Sequence, residues 1–149
     1  MAAPVHRIAS RFVCAVLLLG LLSAGCDQAP GPQAQDGTPP VVSDLLVVPD
    51  TATVPADTAT ATVDVGIQAR VRDPDGVVER VVFTLEPKSS PQSTISDQLL
   101  QRFNEQYLRQ FELSVPTLND VYTVRVYAVD DDSLTSNQVL GQFQVVPAP

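Results

Sequence analysis

From Val41 onward apolar residues recur at every second position, and this alternation confines the chain to strands with one wet face and one buried face. In 62–72, TVDVGIQARVR, the residues Val63, Val65, Ile67, Ala69 and Val71 share one side, while Thr62, Asp64, Gln68, Arg70 and Arg72 share the other. Asp73-Pro74-Asp75-Gly76 follows as a turn, with Pro fixing φ and Gly tolerating a positive φ. A second strand, VVERVVFTLE at 77–86, keeps Val81, Phe83 and Leu85 in phase. The segment 121–129, VYTVRVYAV, sets Tyr122, Val124, Val126 and Ala128 on one face, and Asp130–Ser133 turns the chain into VLGQFQVV at 139–146. Upstream, LLVV at 45–48 and TATV at 51–54 flank Pro49-Asp50. Ser43-Asp44 interrupts the first of these strands, where the register is free to slip by one.

One stretch reads differently. In 94–111, TISDQLLQRFNEQYLRQF, the residues Ile95, Leu99, Phe103, Tyr107 and Phe111 recur every four positions, and Thr94 and Asp97 stand at capping-box spacing. The spacing predicts a short helix at about 96–107 that leads into a strand at 109–115. The alternative is an edge strand and loop. In either form Leu99, Phe103 and Tyr107 are expected to pack on the body, and any that point outward mark the candidate partner surface.

Short strands with turn signals at this spacing imply a two-layer β-sandwich of about 100 residues. VRDPDGVVERVVF, followed by LNDVYTVRVYAVDDDSLTSN, resembles the B–C and F–G regions of bacterial immunoglobulin-like and fibronectin type III-like domains. The resemblance covers 41–146 and implies an all-β, immunoglobulin-like antiparallel sandwich of about seven strands, with the helical insertion between strands C and E. It also places Tyr122 at the tyrosine corner of strand F, its hydroxyl bonding a backbone group upstream. The chain departs from antibody domains in having no tryptophan and no cysteine in this region.

The N-terminus has another character. Residues 1–11 carry Arg7 and Arg11 and no acid, 12–22 (FVCAVLLLGLL) are apolar throughout, and Ser23-Ala24-Gly25 precede Cys26. This is the pattern of a secretory signal peptide over 1–25, with an apolar run shorter than the roughly 20 residues of a spanning helix. Leu22-Ser23-Ala24-Gly25-Cys26 resembles the lipobox of bacterial lipoproteins, with Ser23 where the family usually has Leu. The resemblance implies cleavage before Cys26, acylation of its sulfur and amine, and attachment to a bilayer by two or three chains. Ordinary signal cleavage would instead leave Cys26 as a free thiol. An Asp after the cysteine, here Asp27, resembles an inner-membrane retention signal of enterobacteria-like lipoproteins, a rule that varies between lineages, so the leaflet stays open. Residues 26–40 are then the lipidated cysteine and a linker (DQAPGPQAQDGTPP) that reaches on the order of 40 Å at about 3.1 Å per residue. Residues 147–149 form a tail.

Charge and composition narrow the function. Without Arg7 and Arg11, seven basic residues face seventeen acids, a net of −10 that repels nucleic acid. The one histidine and both cysteines lie at or before position 26, so 27–149 can hold no Ser-His-Asp or Cys-His machinery, no thiolate–imidazole zinc site and no disulfide. With few aromatics to stack sugars, carboxylate hydrolysis and sugar binding are disfavoured. Concentrated polar groups occur at Asp73 and Asp75 and at Asp130, Asp131 and Asp132, on loops that share one end of the resembled fold. Asp73 and Asp130 continue the inward phases of their strands, so the two carboxylates are expected to face each other. Two readings follow: a structural Ca²⁺ site joining the loops, or ordinary Asp turn chemistry. The chain is expected to be a non-enzymatic envelope lipoprotein that docks an envelope protein. The alternatives are a passive spacer and a calcium-dependent adhesin-like domain.

Overall fold

The structure is a computed structural model and describes residues 37–149. The expected signal peptide, Cys26 and the linker as far as Asp36 lie outside the described residues. Eight strands follow one another: β1 (Val41–Val48), β2 (Thr51–Val54), β3 (Thr60–Arg72), β4 (Val78–Pro87), β5 (Ile95–Phe103), β6 (Gln106–Pro116), β7 (Asp120–Asp130) and β8 (Val139–Pro147). They hydrogen-bond in the order β1-β3-β6-β5-β4-β7-β8-β2. All pairs are antiparallel except β2 with β8.

Two strands change layer and fold this single ladder into a sandwich. β5 pairs with β4 through Ile95–Leu99 and with β6 through Leu100–Phe103. The first strand pairs with β3 as β1, passes the cis Val48-Pro49 bond, and joins β8 as β2. One layer is β1-β3-β6 and the other β4-β7-β8-β2, in the Greek-key order of an immunoglobulin-like sandwich. The eighth strand arises because the first one is split between layers.

The inward faces are those of the alternation. Val65, Ile67, Ala69 and Val71 of β3 meet Val81, Phe83 and Leu85 of β4 and Tyr122, Val124, Val126 and Ala128 of β7, all buried in one core with Phe143 and Val145. Phe83 stacks on Phe111, with ring centroids 5.5 Å apart and planes at 23°. These contacts, at roughly 1.5–3 kcal/mol per buried large aliphatic or aromatic side chain, hold the layers together.

A bulge keeps β1 in phase. Ser43 pairs with Arg70 and Leu46 with Gln68, so two residues, Asp44 and Leu45, oppose Ala69 alone. Asp44 takes φ 52°, a region that Asp enters more readily than most residues. The extra residue lets Val42 face inward before it and Leu45 and Val47 after it.

The helix expected at 96–107 is instead most of β5, a turn at Asn104-Glu105 and the start of β6. A spacing of four satisfies a helical turn, but it is also twice the period of a strand, so Ile95, Leu99 and Tyr107, Phe111 fit both. The intervening inward positions are polar because β5 and β6 run along the open side of the sandwich. Asp97 and Arg109 point inward there and join across it at 3.1 Å, and inward charges of this kind blunt exposed strand edges. Gly76 also corrects the turn reading. Its φ is not among the positive ones; it is needed because a Cβ would stand 2.9 Å from Asp131 Oδ1 and 3.1 Å from Asp73 Oδ2.

Candidate functional site

The acidic loops sit together at the end of the sandwich where the chain enters it. Asp73 Oδ1 accepts the N–H groups of Asp75 (3.3 Å) and Gly76 (3.0 Å). Asp131 Oδ1 accepts Val77 N–H at 3.0 Å, which ties the loop after β7 to the loop before β4. Asp130 is buried; its Oδ1 accepts Leu134 N–H at 2.7 Å, closing its own turn. Asp75 Oδ2 accepts Thr38 N–H at 2.9 Å, and Asp132 Oδ2 lies 3.4 Å from where a Cβ on Gly37 would stand. The carboxylates flanking Gly76 are therefore Asp73 and Asp131, with Asp130 turned to Leu134. Asp73 Oδ2 is shielded from solvent without a hydrogen-bond partner. Among the described residues no three acidic side chains converge as a metal-ligand set. The contacts these carboxylates make in the structure are turn and tether hydrogen bonds.

At the opposite end Asp120 pins the segment after β4 to the start of β7. It is buried, its Oδ1 accepts Ser89 N–H (3.1 Å) and Val121 N–H (2.9 Å), and its Oδ2 accepts Ser89 O–H at 2.6 Å. Tyr122, two residues on, is buried with its ring on Phe143, centroids 5.3 Å apart. Burial, and then the Asp120 charge, push its phenol above the usual tyrosine range. Burial does the same to Tyr107. A further tether is the Asn137 amide, which accepts Val42 N–H at 2.9 Å and donates to Val42 O at 3.0 Å, standing in for a neighbouring strand.

The outer faces of the two layers differ. Of the expected partner-surface residues, Leu99 and Tyr107 are buried in the core and only Phe103 is outward. The β5 irregularity between Gln101 and Phe103 turns Phe103 to the side of Leu100. That side carries a row across the layer: Leu46 pairs with Gln68, Gln68 with Leu108, and Leu108 with Leu100. Val48, paired with Gly66, adds to it. Leu46 and Val48 are each 53 % exposed, Leu100 50 % and Phe103 69 %. Over Gly66 lies a shallow depression of about 510 Å³, bordered by Val48, Asp64, Gln110 and Glu112. The outer face of β4, β7 and β8 carries Val82, Val121, Tyr127 and Val146, all half-buried, among Thr84, Glu86, Thr123, Arg125, Gln142 and Gln144, with Leu140 its one strongly exposed aliphatic among the described residues. The sequence names Leu46, Leu100 and Leu108 only through parity, and the bulge in β1 must be placed before Leu46 can be assigned outward.

No family model matches the chain and no curated protein does. Similar solved structures include the fibronectin(III)-like modules of Clostridium thermocellum CbhA, at 22 % identity and a TM-score of 0.44 over 74 % of this chain and 48 % of that one. The chain thus spans about half the length of that protein. Another is the CARDB domain of the PF1109 protein from Pyrococcus furiosus, in complex with di-metal ions, at 13 % identity and a TM-score of 0.40 over 73 % of this chain and 94 % of that one. The fold rests on the strand order and layering themselves, which make the chain an all-β, immunoglobulin-like sandwich.

Proposed function

We propose that the protein is a lipid-anchored, non-catalytic interaction module of the bacterial envelope, held to a membrane through Cys26 and docking a protein on the outer face of β1, β3, β6 and β5. The observation that carries this reading is the strongly exposed apolar row on one sheet face, opposite a face whose apolar side chains, Leu140 apart, are half-buried among Thr, Gln and charged residues. A spacer has no use for such an asymmetry, since contiguous exposed apolar surface is a liability unless something covers it. The basic, apolar and small-residue run before Cys26 supports the anchor. Two or three acyl chains at about 0.8 kcal/mol per buried methylene hold such a domain firmly.

The anchor is tested by Cys26→Ser in the full-length chain expressed in its bacterial host. The unsubstituted protein is expected in the membrane fraction and to incorporate labelled palmitate, and Cys26→Ser to lose both. Membrane association of Cys26→Ser at the original level contradicts lipid anchoring.

A further inference from the structure

The apolar face has a pattern along its strands as well as across them. On β3 the outward residues run Asp64, Gly66, Gln68, Arg70, with two of them on each side of Ile67. On β6 the cross-strand partners of these four are Glu112, Gln110, Leu108 and Gln106. On β1, Val48 pairs with Gly66 and Leu46 with Gln68. The row Leu46, Gln68, Leu108 is therefore raised at its centre, and the row Val48, Gly66, Gln110 is sunken at its centre, where Gly66 has no side chain between the exposed Val48 and Gln110. Beyond the sunken row stand two like charges directly opposed, Asp64 and Glu112, an arrangement that is unfavourable within one sheet. Beyond the raised row stands Arg70, whose contact with Asp44 is a 3.5 Å pair between well-exposed groups. Such pairs are weak and readily exchanged.

A two-fold axis lying in this face and crossing the strands at the level of Val47, Ile67 and Arg109 exchanges the two halves. It lays the raised row of one copy on the sunken row of the other and sets Arg70 over the Asp64–Glu112 pair. We propose that the occupant of this face is a second copy of the same chain, packed sheet on sheet with β3 antiparallel over β3; this rests on the reading of the face as a docking surface. Aligned sheet packing needs inner faces of this alternating kind, and an isologous contact needs a self-complementary one. The strands of this layer, thirteen residues of β3, eleven of β6, eight of β1 and Leu100–Phe103 of β5, at about 3.3 Å rise and about 4.8 Å spacing cover roughly 570 Å², just under the roughly 600 Å² per partner at the low end of stable interfaces.

The test is cross-linking in intact cells, with the full-length chain carrying Gln68→Cys beside the axis and a short bis-maleimide. A species of twice the chain mass is expected, well above the background of the chain without Gln68→Cys. Adding Arg70→Glu should lower that species by roughly tenfold, since like charges then meet across both halves of the contact. The double change Asp64→Arg with Arg70→Glu should restore it, which a variant that merely fails to fold cannot mimic. No species of twice the mass, or one indifferent to the charge reversals, overturns the proposal. A cross-linked species of another mass also overturns it, while supporting the broader reading of the face as a docking surface for a different protein.

Discussion

Deleting Gln68 is expected to abolish folding, whereas deleting Asp44, also inside a strand, should leave the domain folded within about 1 kcal/mol of its original stability. The difference lies in register. β3 is paired on both sides without a break, and Val65, Ile67, Ala69 and Val71 are all buried. Removing one residue from its middle turns Ala69 and Val71, or the residues before them, to the solvent face. It also forces Arg70 or Asp64 toward the core. Losing two or three buried aliphatics at roughly 1.5–3 kcal/mol each, with a charge buried besides, consumes most of the 5–15 kcal/mol typical of a domain. Asp44 is the extra residue of a bulge. Without it Ser43 pairs with Arg70 and Leu46 with Gln68 as before, and Leu45 still points inward. What is lost is an exposed ion pair with Arg70 and a positive φ. Urea unfolding of the two deletion variants checks this. A cooperative transition for the Gln68 deletion, or a missing one for the Asp44 deletion, contradicts the register described here.

The second large effect is expected at Asp120. Asp120→Ala removes a buried carboxylate that accepts three hydrogen bonds and tethers Ser89 to the start of β7. Hydrogen bonds to a charged acceptor contribute about 1.5–3 kcal/mol each when buried. Ser89 is itself exposed and regains water, so the expected loss is about 2–4 kcal/mol in all. For a domain of this size that lowers Tm by roughly 10–15 °C. Asp120→Asn, which keeps an acceptor oxygen, should lose about half as much. Asp57→Ala, at an exposed loop position, should stay within about 0.5 kcal/mol. Calorimetry on the three variants decides the matter, and equal Tm values for Asp120→Ala and Asp57→Ala would remove Asp120 from the account.

The strands of the body were legible in the sequence because each is buried on one face only. Alternation fixed the inward residues of β3, β4 and β7 without reference to any partner strand. The helix expected at 96–107 failed for a specific reason. Leu99 and Tyr107 lie four-fold spaced on the inward side of two consecutive strands, and the residues between them are polar because those strands border the open side. The bulge at Asp44 was visible as an interruption of β1, but its direction depends on which residues of β3 lie opposite. Phe103 depends likewise on an irregularity in the pairing of β5 with β6. The five loop aspartates stand out in composition, yet the backbone N–H groups held by Asp73, Asp75, Asp130 and Asp131 are set by how the loops fold, and two of them, on Thr38 and Val77, come from distant parts of the chain. Asp120 and Asn137 left no trace, since a lone Asp or Asn gains its meaning only when the fold brings Ser89 or Val42 beside it.

On the proposed function, one face of the sandwich is covered in the cell and the other is not. Single-cysteine labelling tests it directly, with Leu100→Cys on the β1-β3-β6-β5 face and Gln142→Cys on the face of β4, β7 and β8. Each full-length variant is treated with a small maleimide in intact cells and again after purification and dilution. Position 100 is predicted to label several-fold more slowly in cells than in the dilute protein, while position 142 labels alike in both. Equal labelling of both positions in cells would mean that nothing covers the apolar face, and the reading of the protein as an interaction module would be wrong.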